Sequence, residues 1–345
     1  MQWGIGYAGT EAVRSITRHP NLKLVGAWVH SESKAGVDVG ELAGVGPLGV
    51  ITTTDTEALL ALRPDCVVYT AQSLGRNEGV VEDLARLLRN GINVVNLSLP
   101  ALFYPEYADP RFFDVLESAA RLGGSSLYTS GIDPGLGNAG LVLHGLSLCT
   151  DVRQVTMQQV LNIATFDNPD TLFDTLGFGQ PDLSTARLLQ PGVLTATWGP
   201  LLAMVAEALG VRLDSIEESY EAAYSDRSFF VAAGVIDAEA VAGVRFSVTG
   251  YHDGEPLVAY ERVNRLRDSD APHWPHGDGF RVDIDADPHI HLELAMSGEA
   301  WRNAPVIAAV NHLLSAIPMV VAAPPGIMTM LDVATGSSLR GARAT

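Results

Sequence analysis

Gly4-Ile5-Gly6-Tyr7-Ala8-Gly9 has the G-x-G-x-x-G spacing, set between a short apolar run and a helical pattern. Its chemistry would come from the backbone. The first glycine permits a tight turn, and the second lets a pyrophosphate approach the main chain. The third lets the helix pack close, so that its first N–H groups face the phosphates. In a chain with 34 glycines the motif could equally be an ordinary turn. The strand before it, the helix after it and a second strand at βαβ distance favour dinucleotide binding, with Gly4, Gly6, Tyr7, Ala8 and Gly9 as contacts.

The end of the second strand, His30-Ser31-Glu32-Ser33-Lys34, is the next chemical cluster. An NAD site usually places Asp or Glu there for the ribose hydroxyls. Here one of only two lysines stands with two serines and a histidine. As bare sequence this is a solvated polar loop or a 2′-phosphate site. Given the fold, His30, Ser31, Ser33 and Lys34 favour NADP(H), while Glu32 keeps NAD(H) possible. The switch-point rule adds the ends of later strands to the cofactor set: Thr70, Ala71 and Gln72, then Asn96, then Ser130 and Gly131.

Glu106, between Tyr104-Pro105 and Tyr107, is a carboxylate among aromatic and proline side chains, a setting suited to general acid–base work. It could as well be an exposed helix-initiating Glu. His273-Trp274-Pro275-His276 could line a substrate pocket or be a surface loop, and Gly131-Ile132-Asp133-Pro134-Gly135 could close over a cofactor or be a plain turn. His289 and His291 point the same way on a strand, but with no third ligand nearby no metal is expected.

Around these residues the pattern is β-α alternation over residues 1–135, which predicts an α/β Rossmann fold, a doubly wound parallel sheet. A helix is expected over 77–90, with Val80, Val81, Leu84, Leu87 and Leu88 on one face. Residues 136–302 carry long alternating runs and read as an α+β substrate and dimerisation domain with a largely antiparallel sheet. Asp253-Gly254 marks a hairpin between two of those runs. Residues 303–345 form a C-terminal helical segment expected to pack back on the first domain.

Composition excludes several classes. A net charge of −18 disfavours nucleic acid and anionic membranes. No apolar run is read as a membrane span, and the amino end lacks a leader's basic region, so a cytoplasmic location is expected. Lys23 and Lys34 are the only lysines, against 20 arginines, so imine chemistry on an enzyme lysine beyond residue 34 is ruled out. Cys66 and Cys149 show no metal spacing, and Cys66 is read as packing.

Several motifs occur together in order: Trp3-Gly4-Ile5-Gly6-Tyr7-Ala8-Gly9, Val29-His30-Ser31 with Lys34 and Gly36, Gly131 with Pro134-Gly135, Leu176-Gly177-Phe178-Gly179, and Ala316-Ile317-Pro318 before Ala323-Pro324-Pro325-Gly326. In these the chain resembles the dihydrodipicolinate-reductase-like oxidoreductases that include 2,4-diaminopentanoate dehydrogenase and the native amine dehydrogenases. The resemblance implies an NAD(P)-dependent homodimer interconverting an amine with a carbonyl compound and ammonia. It also implies that Glu106 is the catalytic acid–base residue. The chain departs from dihydrodipicolinate reductases proper, having neither their His-His and Lys motif nor any lysine in the second domain. Tyr104, Ile132, Leu136, Phe178, His273 and Trp274 are the expected pocket, suited to a small, mostly apolar substrate. An imine or carbonyl reductase of the same fold, or a non-catalytic cofactor-binding protein, are the alternatives.

Overall fold

The computed structural model describes residues 1–73, 75–296 and 304–334, with the side chains of Glu106, Ala108, Ala304 and Ala334 outside that set. Contacts divide it into two units, one built from residues 1–136 and 304–334, the other from residues 137–296.

In the first unit seven short strands form a parallel sheet: β1 (Gln2–Trp3), β2 (Ala27–Trp28), β3 (Thr52–Thr53), β4 (Cys66–Tyr69), β5 (Asn93–Asn96), β6 (Ser126–Thr129) and β15 (Gly326–Met328). Their order is β15-β6-β5-β4-β1-β2-β3. This is the doubly wound arrangement, extended at one edge by a strand from the far end of the chain. Between the strands run α1 (Tyr7–Arg18), α2 (Val39–Ala43), α3 (Thr56–Leu60), α4 (Asn77–Arg89), α5 (Pro105–Ala108) and α6 (Pro110–Gly123). The predicted stripe of α4 is the buried one, with Val80, Val81, Leu84, Leu87 and Leu88 at 4% exposure or less. Together with Trp3, Tyr69, Val94, Leu116 and Ala120 it makes the core on one face of the sheet. In the passage 38–49 Asp38 caps α2, accepting from the backbone N–H groups of Gly40, Leu48 and Gly49.

The other face is covered by α1 and by α9 (Ala304–Ala322). Val310, Leu313, Leu314, Ile317 and Val320 of α9 pack with Ala12, Ile16, Cys66, Val68, Val95 and Tyr128. Burial there pushes the Cys66 thiol up to about 12, which keeps it inert. One expectation is corrected at this helix. Pro305–Ala322, with a mean hydropathy of 1.8, is long and apolar enough to cross a membrane by length and composition. Its apolarity has a local use, because one side of the helix is the cover of the sheet. The short helix α10 (Met330–Ala334) follows β15.

The second unit is a six-stranded sheet of β7 (Thr150–Asn162), β8 (Ser215–Tyr224), β11 (Val241–His252), β12 (Glu255–Arg265), β13 (Gly279–Asp287) and β14 (Ile290–Leu294), in the order β14-β13-β7-β12-β11-β8. Only β7 and β12 run parallel. Asp253 and Gly254 turn β11 into β12, both with positive φ (53° and 80°), the backbone a two-residue type I′ hairpin requires. The alternating run 228–235 would make one strand by its pattern and is instead the ribbon β9 (Phe229–Val231) and β10 (Gly234–Ile236). The Ala232 N–H bonds to the Ala164 carbonyl there and pulls the chain out of line.

Two helices, α7 (Leu141–Leu146) and α8 (Val193–Ala208), pack on this sheet. Trp198 of α8 stacks on Tyr260 at 5.2 Å and tilts against Phe246 at 4.9 Å. The Glu218 carboxylate accepts from Thr195 N at 2.6 Å and Gly192 N at 3.2 Å, neutralising the positive end of α8. A chain of polar contacts crosses all six strands, from Glu221 through Arg245, Glu261, Gln158 and Arg281 to Glu293. Near its end Asp283 lies 3.2 Å from His289 and 3.1 Å from His291, so the two histidines share a carboxylate partner that the sequence did not reveal.

Candidate active site

The glycine turn is shaped by close contacts on both sides. Gly4 has φ of 92° and is pressed against the strand end after β4, where a Cβ would meet Ala71 backbone atoms at 2.9 Å. A Cβ on Gly9 would stand 2.0 Å from the Gly4 carbonyl oxygen, so the helix can approach the strand only with glycine there. Gly6 is different: among the described residues nothing lies within 4 Å of the Cβ position it leaves vacant. No side chain caps α1, whose N-cap is Gly6 itself, and its first turn contains no acidic residue at N1–N3. An uncapped helix start behind an open glycine fits an anion, and hence the pyrophosphate of a dinucleotide.

Gln2 and Thr70 hold this turn in place. Gln2, fully buried in an otherwise apolar strand, donates through Nε2 to Gly4 O (2.9 Å) and Thr70 Oγ1 (2.7 Å). Thr70 Oγ1 in turn donates to Gly4 O at 3.0 Å. Thr70 therefore shapes the turn through its side chain, with Ala71 buried beside it and Gln72 exposed. The role of Gln2 escaped the sequence reading; a lone amide in an apolar strand was the available signal.

The tip of β2 reaches the same turn. Lys34 Nζ donates to Ile5 O at 2.8 Å, so the ammonium stands directly over the glycine motif. Ser31 and Ser33 are exposed, their hydroxyls 2.7 Å apart. Behind the tip His30 rests against Trp28 (6.1 Å), Trp28 stacks on Trp3 (5.0 Å, 11° between planes), and Trp3 stacks on Tyr69 (6.4 Å). The parallel register of β2, β1 and β4 puts these three rings in one row, and each such pair adds about 0.5–1.5 kcal/mol beyond area burial.

A cavity of about 190 Å³ lies at the carboxyl ends of β5 and β6. Its walls come from four places: Ala8 on α1; Leu97, Pro100 and Phe103 after β5; Thr129 through Pro134 after β6; and Pro305, Val306 and Ala309 on α9. Ala8, Ser130, Gly131 and Ile132 are thus brought together as expected pocket and cofactor positions. The turn Gly131–Gly135 is tight, since a Cβ on Gly135 would meet Gly131 O at 1.9 Å. Phe103 and the α9 residues were missed. The α9 pair Val306 and Ala309, one helical turn apart, lies about 180 residues downstream of β6.

Other expected residues fall elsewhere. The Asn96 amide is fully buried and bonds to Ser98 and the Thr129 hydroxyl, holding the end of β5 together. Tyr104 is buried at 7% and Leu136 half-buried. Phe178 is wholly buried within the second unit. His273 is exposed, and Trp274 packs over Gly243 of β11. Glu106 sits by its backbone in α5, three residues beyond the cavity-lining Phe103; its side chain lies outside the described residues.

A family model described as the 2,4-diaminopentanoate dehydrogenase C-terminal domain matches residues 139–345, and one described as the dihydrodipicolinate reductase N-terminus matches residues 3–96. An amine dehydrogenase of Streptomyces virginiae is 37% identical over 96% of this chain and 94% of its own length. The 2,4-diaminopentanoate dehydrogenase of Acetoanaerobium sticklandii is 24% identical over 80% of this chain and 76% of its own. The solved structure of an amine dehydrogenase from Mycobacterium smegmatis shares the fold, with a TM-score of 0.73 at 21% identity over 95% of this chain and 93% of that one. With an uncapped glycine turn at one end and this match along nearly its whole length, the chain belongs to the family of NAD(P)-dependent oxidoreductases that includes 2,4-diaminopentanoate dehydrogenase and amine dehydrogenase.

Proposed function

We propose that the chain is an NADP(H)-preferring amine dehydrogenase that joins ammonia to a small, mostly apolar ketone or aldehyde and runs the reverse deamination. The observation that carries this reading is the apolar cavity that shares Ala8 with the uncapped start of α1. The first N–H groups of α1 would hold the pyrophosphate, and Lys34 with Ser31 and Ser33 the 2′-phosphate. When bound, the nicotinamide supplies the hydride for amination and takes it back in deamination. Phe103, Ile132, Val306 and Ala309 exclude water and favour an apolar carbonyl compound. The cavity lining contains no Lys or Arg, so nothing described there would grip an amino-acid carboxylate.

Glu106 is assigned the proton chemistry. It takes a proton from ammonium so that ammonia can attack the carbonyl carbon. It then returns the proton to the carbinolamine hydroxyl, which leaves as water. The deciding assay is a panel of small carbonyl compounds with NADPH, run with and without ammonium. Consumption of NADPH only with ammonium supports the reading; equal consumption without it identifies a carbonyl reductase and ends the amine assignment.

The cofactor preference has a separate test. Lys34→Ala is expected to raise Kd for NADPH about tenfold or more while changing NADH less than about twofold, as loss of one charge-assisted phosphate contact requires. Because Lys34 also bonds to Ile5 O, equal losses for both cofactors would mean that it shapes the turn and does not read the phosphate.

A further inference from the structure

Side chains two apart on a strand point to the same face. On β6 and the residue after it this pairs Tyr128 with Ser130, on the side covered by α9. Ser130 lines the cavity, and its hydroxyl is buried with no hydrogen-bond partner of ordinary geometry. Tyr128 is wholly buried, and its hydroxyl lies 3.1 Å from Nε2 of His312 on α9. The imidazole meets the phenol edge-on, with ring centres 6.2 Å apart and planes at 65°. His312 is only half-buried. Three protic groups therefore run from the cavity wall, through an apolar layer of Val310, Leu313 and Leu314, towards solvent.

A buried phenol and imidazole have no packing advantage over Phe and Leu in such a layer, and the desolvation of both must be offset. We propose that Ser130, Tyr128 and His312 form a proton relay between the cavity and solvent. This rests on the amine dehydrogenase reading, and the three act as positioning residues beside the reacting atoms. The overall balance requires an exit. A substrate ammonium, R₂CH–NH₃⁺, with NADP⁺ and water gives R₂C=O, NH₄⁺, NADPH and one H⁺. That last proton has to leave a cavity whose walls are mostly apolar.

In the relay Ser130 Oγ, unpartnered at rest among the described residues, turns to Tyr128 Oη, accepts a proton from the cavity and passes its own on. Tyr128 passes its own to His312 Nε2, and His312 releases the proton on Nδ1 to water. The hops reverse for amination, which consumes a proton. The resting charge states suit this. Burial pushes the Tyr128 phenol up to about 12, the Ser130 hydroxyl beside it pulls the other way, and Asp332 on α10 adds to the upward shift. Burial lowers His312, so it rests neutral and can accept at Nε2.

Two measurements test the relay on the whole chain. The first needs no turnover: nitrogen NMR of the ¹⁵N-histidine-labelled protein, with His312 assigned by its loss in His312→Ala. A neutral ring protonated on Nδ1 is expected; a proton on Nε2 would overturn the relay, because Tyr128 could not then donate to it. The second follows NADPH absorbance and an indicator dye together by stopped flow during amine oxidation. In the wild type both signals should rise in one phase. Tyr128→Phe, which keeps the ring and its edge contact, should lower kcat about tenfold with KM unchanged and make proton release lag. His312→Ala should lose as much and recover with added imidazole, which leaves the wild type unaffected. Wild-type kcat and synchronous release in Tyr128→Phe refute the relay while leaving the amine reading intact. A wild-type chain that oxidises no amine in the panel defeats the amine reading, and the relay's oxidative role with it, whatever the tautomer.

Discussion

Glu106→Gln should lower kcat for reductive amination by about 10²- to 10⁴-fold while leaving Kd for NADPH within about twofold, because the substitution removes proton transfer and keeps shape and hydrogen bonding. Glu106 lies in the short helix that follows Phe103 and is not part of the glycine turn, so cofactor binding should not register its loss. Initial rates at saturating ammonium and a fluorescence titration of NADPH supply the two readouts. Retention of more than about a tenth of wild-type kcat would remove Glu106 from the mechanism. A parallel loss of NADPH affinity would instead point to collapse of the turn that carries it.

The glycines make the second large prediction, because the structure gives two of them opposite duties. Gly6→Ala should fold with an unchanged Tm and bind NADPH about a hundredfold more weakly, since its new methyl group meets no atom of the described residues and would occupy the space proposed for the pyrophosphate. Gly9→Ala should lose stability by about 1–3 kcal/mol or more, because its methyl group would stand 2.0 Å from Gly4 O and must push α1 off β1. Calorimetry and cofactor titration of both variants separate the cases. Wild-type affinity in Gly6→Ala would mean that no phosphate approaches this turn.

Much of the first unit, and one hairpin of the second, was legible because the signals are local. The stripe of α4, the strand-turn-helix of residues 1–18 and the hairpin at Asp253-Gly254 each depend on residues adjacent in sequence. The helix α8 was not seen. It is apolar nearly all round and carries Pro200 inside, so it shows neither a stripe nor a clean start, and only the aromatic cluster of Trp198, Phe246 and Tyr260 explains its composition. The cavity was half legible. Its Gly131-Ile132 wall follows a recognisable strand, whereas Phe103, Val306 and Ala309 become neighbours only when segments far apart in sequence fold together. The Asn96 amide and the Thr70 hydroxyl looked available to a ligand. Their partners, Ser98, Thr129, Gly4 and Gln2, are visible only in three dimensions.

The cover that α9 places over Val68, Val95 and Tyr128 bears on how the protein is made. A ribosome translating from the amino end completes the six strands of residues 1–136 before any residue of α9 or β15 exists. At about 5–20 residues per second, the intervening stretch takes roughly ten to forty seconds to synthesise. Throughout that interval one side of the nascent sheet lacks its lid and its last edge strand, while the sheet of the other unit can finish on its own. The first unit is begun first and closed last, so the apolar face that α9 covers stays open to water until late in synthesis. For the same reason, cutting the chain after residue 136 removes part of that unit's core.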